Sequence, residues 1–265
     1  MIKKQNIQGE TWDNLIILDA CRFDFFEKIY KEYMDGELEK RISKGSNTGE
    51  WLAKTFPDKY DYTYISANPY INSYGVSLNR CRPEYRNYSW NAVEHFSNII
   101  DVWEFGWKEE VGTIHPKEVN KAYLSNKDNN KTIIHYVQPH YPYLSYGGVF
   151  GIRNKVNILK DEPINYKQKL KKNKLVEPIK KLPRLKKIQV EIGLDKLFYY
   201  YEDNLRTVLK HVSHLTAYLN GTTIITADHG EAFGEEGVWE HPIETHIPVL
   251  IEVPWLAIHS KRVDR

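Results

Sequence analysis

Only two cysteines, Cys21 and Cys81, occur in 265 residues and neither belongs to a CxxC pair, which excludes a disulfide framework. Long apolar runs are missing too. None reaches the roughly 18 residues of a membrane span, and the opening Met1-Ile2-Lys3-Lys4-Gln5 carries no signal-peptide core. The expectation is a cytoplasmic protein with no membrane span. A surplus of one charge sign is also absent: 37 Lys+Arg face 35 Asp+Glu. That balance gives no general case for a nucleic-acid partner. The charge is unevenly spread, however. Between Arg153 and Lys187 lie 13 basic and 3 acidic side chains, together with three prolines. Residues 153–187 therefore read as a basic insertion or lid on a single domain covering 1–265, either capturing an anionic substrate or standing as a solvated loop.

What is present is a succession of short apolar runs separated by helical patterns. Leu15-Ile16-Ile17-Leu18 is continuous and apolar, as a strand covered on both faces requires. Tyr62-Thr63-Tyr64-Ile65, Thr132 to Val137, Thr222 to Ile225 and Pro248 to Val253 are further strand candidates. Phe23–Met34, Glu50–Phe56 and Leu197–Leu219 carry helical spacing, the last ended by Asn220-Gly221. This alternation predicts an α/β fold: a doubly wound, mostly parallel sheet with helices on both faces.

Polar residues gather where these strands end. Asp228-His229-Gly230-Glu231 follows the Thr222 run, and Asp19 follows Leu18. Ligands of open α/β sheets bind at the carboxyl ends of strands. Carboxylate and imidazole are both ligands for zinc or manganese, with calcium a further alternative that a histidine disfavours. Asp19 can equally cap the next helix. Arg22 can hold an anion or pair with Asp24. Ser46-Asn47-Thr48 precedes a helix, so Ser46 or Thr48 can cap it. Thr48 can also be a nucleophile, since a divalent metal activates a hydroxyl without a dedicated base. His135, inside an apolar strand, reads as a core histidine. His140 lies beyond that strand, where a cleft would be, and His241 is close enough in sequence to fold back over the Asp228-His229 turn.

Taken in order, these segments resemble the alkaline phosphatase superfamily, nearest its sulfatase-like branch. They are Asn14 to Asp24, Ser46-Asn47-Thr48, His135 to Tyr143, Ile225 to Glu231 and His246 to Leu250. The resemblance implies a metal-dependent enzyme that moves phosphoryl, phosphoryl-ester or sulfuryl groups through a covalent intermediate. Asp19, Asp228 and His229 would be the metal ligands and Thr48 the nucleophile. His140 and His241 would serve the substrate or a second metal. Sulfatases oxidise a Cys or Ser in a Cys-x-Pro-x-Arg pattern; here Cys81-Arg82-Pro83-Glu84-Tyr85 places Tyr85 at the Arg position. Phosphoesters, as a hydrolase or a phosphotransferase, are therefore expected ahead of sulfate esters. The partner would be an anionic ester on a glycan or lipid head group. The competing reading is a member that binds such a group without turning it over.

Overall fold

The computed structural model describes residues 2–126, 130–146 and 182–259. Most of the basic segment expected at 153–187 lies outside them; its end, from Arg184, starts a helix.

The strands are β1 (Lys3–Lys4), β2 (Asn14–Leu18), β3 (Glu37–Ile42), β4 (Tyr60–Ser66), β5 (Phe96–Asp101), β6 (Trp107–Lys108), β7 (Thr113–Ile114), β8 (Lys131–Tyr136), β9 (Thr222–Thr226), β10 (Ala232–Phe233), β11 (Trp239–Glu240) and β12 (Glu252–His259). The α-helices are α1 (Phe23–Ile29), α2 (Thr48–Thr55), α3 (Leu78–Cys81), α4 (Val102–Phe105), α5 (Pro116–Ser125), α6 (Arg184–Ile192), α7 (Leu194–Thr216) and α8 (Pro248–Ile251). Eight strands form one sheet in the order β1-β3-β12-β9-β2-β8-β4-β5. β12 runs antiparallel to both its neighbours, and the other pairings are parallel. The mostly parallel, doubly wound sheet is therefore present.

The two faces of this sheet follow from side-chain alternation along each strand. Ile16 and Leu18 of β2 point to one side, where Ile134 and Tyr136 of β8 meet α1, α5 and α7. Leu15 and Ile17 point to the other, packing with Ile133, Tyr64, Trp51 and Leu52. With both faces covered, β2 is buried along its length, which explains why its sequence is apolar without alternation. In α7, Leu197, Tyr201, Leu205, Val208, Val212 and Leu215 form the buried stripe.

Three expected elements differ in detail. The helix predicted for Phe23–Met34 stops at Ile29 and tightens into a 3₁₀ turn, because the amides of Tyr33 and Met34 both donate to the Tyr30 carbonyl. Pro248 to Ile251 is a helical turn with proline at its first position, not a strand, and β12 starts only at Glu252. The cap of α2 is neither Ser46 nor Thr48. Asn47 takes that role, its Oδ1 accepting from the Gly49 amide at 3.0 Å.

Candidate active site

Asp19 follows β2, Asn68 follows β4, His140 follows β8 and Asp228 follows β9, so parallel pairing carries all four to one sheet edge. Thr48 comes to the same edge as the first residue of α2, placed there by its Asn47 cap. Its hydroxyl donates to Asp228 Oδ2 at 2.7 Å and lies 3.2 Å from His229 Nε2. Both partners are fully buried.

The roles of the His229 nitrogens are fixed by their neighbours. Nδ1 lies 2.7 Å from the Gly230 carbonyl, which can only accept, so Nδ1 carries the proton. Burial, ahead of the nearby charges, lowers the pKa of His229. The Nε2 lone pair then faces Thr48 together with Asp228 Oδ2 at 3.3 Å and Asp19 Oδ1 at 3.7 Å. Burial opposes ionisation of Asp228. Neighbouring His229 and His135 and hydrogen bonds from Thr48 and the Ala20 amide outweigh it and hold the carboxyl below its usual range. Two carboxylates and an imidazole lone pair thus converge on one buried point, an arrangement that a bound cation offsets electrostatically. The donor set of oxygens and nitrogen fits zinc or manganese.

His135 belongs to this cluster. The sequence reading as a satisfied core histidine is half right: Nδ1 lies 2.9 Å from the Tyr64 hydroxyl. The buried Nε2 has no hydrogen-bond partner and sits 4.0 Å from Asp19 Oδ2. Asp19, His135 and Asp228 bring one ligand atom each within 4.8 Å of one another. Asn68, also unflagged in sequence, donates to Asp19 Oδ2 at 2.8 Å and orients it.

His140, Glu231 and His241 form a second such group. The His241 ring lies 4.6 Å from that of His229 and 5.0 Å from that of His140, and its Nδ1 is 3.0 Å from Glu231 Oε1. Glu231 is buried, and that burial pushes its carboxyl well above the usual range. His140 stands between the cis peptides Gln138-Pro139 and Tyr141-Pro142.

Ser46 and Arg22 serve the frame. Ser46 Oγ donates to Glu50 Oε2 and accepts from the Thr245 amide, both at 3.0 Å. Arg22 is buried, spans Asp24 and Glu235, and donates to the Glu231 carbonyl at 3.2 Å. That ties α1 to the loop after Asp228. Gly230 is required for a close approach: a Cβ there would lie 2.0 Å from the Val249 carbonyl oxygen. Ala20 holds a left-handed φ of 60°, fixed by its amide on Asp228 and by the Tyr201 hydroxyl on its carbonyl.

Among solved structures the chain is similar to the integral membrane protein lipooligosaccharide phosphoethanolamine transferase A of Neisseria meningitidis. The match has 13% identity and a TM-score of 0.54, and covers 98% of this chain and 50% of that one. The soluble domain of the same transferase matches at 14% identity and a TM-score of 0.51, covering 98% of this chain and 80% of that one. The fold is that of the alkaline phosphatase superfamily. The zinc complex of the C-terminal periplasmic domain of EptC from Escherichia coli matches at 12% identity and a TM-score of 0.50, covering 99% and 78%. This chain thus spans half the length of the membrane-integral transferase. No protein-family description and no curated protein matches it.

The expected cytoplasmic location is overturned by these likenesses, to a membrane-integral transferase and to a domain described as periplasmic. Among the described residues no helix is long and apolar enough to cross a membrane. A domain held outside the cytoplasm has the same property, so the missing apolar run gave no guide to compartment.

Proposed function

We propose that the protein is a metal-dependent phosphoester transferase or hydrolase working through a covalent Thr48 intermediate. The observation that carries this reading is the buried Thr48 hydroxyl, 2.7 Å from Asp228 Oδ2 and 3.2 Å from His229 Nε2. Asp19, Asp228, His229 and Thr48, with His135 beside them, would hold a divalent cation; when bound it stabilises the threonine alkoxide and the charge gathering on the phosphoryl oxygens.

The residues do the rest. Asp228 accepts the Thr48 proton as Oγ forms its bond to phosphorus and the ester P–O bond breaks. The departing alkoxide takes up, by way of solvent, the proton that Thr48 gave to Asp228. His140 and His241, within ring contact of one another, face the transferred group's oxygens or the leaving alcohol. An acceptor hydroxyl, or water, then attacks the phosphothreonine ester and restores Thr48. An unmodified threonine suits phosphoesters better than sulfate esters. The nearest approach to a sulfatase-type motif supports the same preference: Cys81 is buried, its thiol pushed up to about 11 by burial, and the Tyr85 hydroxyl is engaged with Asn47. Residues 1–265 form one domain in this reading. The name of the lipooligosaccharide phosphoethanolamine transferase supports a head-group ester of a glycan or lipid as substrate.

The test compares wild type with Thr48→Ala after loading with zinc or manganese, on phosphate monoesters, phosphate diesters and sulfate esters. Metal-dependent diester turnover should fall at least about a thousandfold in the variant. Mass spectrometry should find the transferred group on the Thr48 peptide of wild type. Metal binding by both proteins with no turnover of any ester would instead favour head-group binding without catalysis.

A further inference from the structure

A cleft of about 410 Å³, counted with its open mouth, lies beside the Thr48 site and shares Asp19 and His140 with it. Its walls come from α4, the β6–β7 hairpin and the end of β8. Trp103, Trp107, Ile114 and Val137 supply apolar surface. The Trp103 indole N–H is already spent, donating to Ile71 O and Asp101 Oδ1 at 3.1 Å each, so its ring offers only apolar contact. Among the polar atoms of the walls, Thr113 Oγ1 is buried and has no hydrogen-bond partner. At the shared end stand the Asp19 carboxylate and the Asn68 amide that holds it.

This chemistry separates two parts of a substrate. An anionic phosphoryl group gains nothing from the apolar ring faces and is repelled by the Asp19 carboxylate. A polyhydroxylated substituent would leave its hydroxyls unpaired against Trp, Ile and Val. We infer that the cleft receives the organic substituent of the ester, and that this substituent is a largely apolar chain or ring with one hydrogen-bonding group that reaches Thr113. The inference rests on the phosphoester reading and names the substrate class for the same site. Trp107 and Thr113 become specificity-determining residues, acting on substituent affinity and not on bond making.

The test uses phosphonates, whose C–P bond is not cleaved, titrated calorimetrically into zinc-loaded wild type: methyl-, 3,4-dihydroxybutyl-, hexyl- and 6-hydroxyhexylphosphonate. Hexylphosphonate should bind about tenfold or more tightly than the methyl and dihydroxybutyl compounds, with a negative heat-capacity change. Trp107→Ala should remove most of that gain while leaving methylphosphonate affinity within about twofold. The near-isosteric Thr113→Val should erase the advantage of the 6-hydroxyl, about fivefold, without touching hexyl binding. Equal affinity for all four, or preference for the dihydroxybutyl compound, would overturn the cleft assignment and leave the phosphoester reading standing. Binding of none of them would overturn both.

Discussion

At Glu50 the physics of a single residue can be isolated from the chemistry. Burial alone would raise its pKa. Lys54, the Ser46 amide, His246 and the Glu244 amide instead hold the carboxyl at about 2. This one carboxylate ties the start of α2 to the 241–246 loop, and so ties Thr48 to His241. Glu50→Ala leaves several buried donors unpaired, a loss of about 3–5 kcal/mol for a broken buried pair. Thermal unfolding should register that loss, and Glu50→Gln, which keeps the shape and part of the bonding, should lose less. A variant no less stable than wild type would mean that the loop is anchored elsewhere. The long-range half of this network was not legible in the sequence, because Glu244 and His246 lie 194 and 196 positions from Glu50. Asp228-His229 and Asp19 were legible, because a polar residue at the end of an apolar run is a local signal. For His135 only half of the surroundings was legible, for the opposite reason. Local context says core, and only the pairing of β8 with β4 on one side and β2 on the other brings Tyr64 to one nitrogen and Asp19 to the other.

At the scale of elements, alternation of strands and helices predicted a mostly parallel sheet, but neither its strand order nor the reversal of β12. The reversal of β12 depends on α8, a turn that starts with Pro248 and passes beneath Gly230. The Gly230 amide donates to Leu250 O at 2.8 Å, and no Cβ fits against Val249. Gly230→Ala must therefore push α8 and the Asp228-His229 turn apart, at a cost of about 2 kcal/mol or more. Both thermal stability and zinc affinity should fall together, since the same displacement moves His229. A stability loss with unchanged zinc affinity would show that the turn holds its ligands independently of α8. The packing of α5 against α7 makes a second prediction. His115 caps α5, and its ring lies 5.0 Å from that of His211 on α7. Burial first, then His115, His214, Lys210 and Lys117, lower the His211 pKa to about 4; burial also lowers that of His115. An unfolded histidine titrates near 6.5, so between about 6.5 and 4 the unfolded chain binds more protons than the fold. Stability should be intact above that window and fall as pH drops through it. His211→Asn should flatten the slope of denaturation midpoint against pH there, and an unaltered slope would assign the acid sensitivity to other groups.

For the molecule as a whole, the doubly wound sheet explains how residues as distant as Asp19 and Asp228 share one point. Parallel strands end at the same edge, and the α2 terminus is laid against that edge by the face that buries Trp51 and Leu52. The arrangement also carries a thermodynamic cost, since buried carboxylates and imidazoles are collected in the apo protein. A cation that binds only the folded state repays it by mass action, about 2.7 kcal/mol at a hundred times the dissociation constant. Zinc or manganese should therefore raise the melting temperature of wild type in proportion to the logarithm of its concentration, and EDTA should reverse the rise. In Asp228→Asn the Thr48, Ala20 and His229 donors lose their carboxylate acceptor, so the apo protein should melt lower than apo wild type, and the metal-dependent rise should largely vanish. The metal response separates a ligand from a structural residue: a purely structural Asp228 would lower the apo melting temperature and leave that response intact.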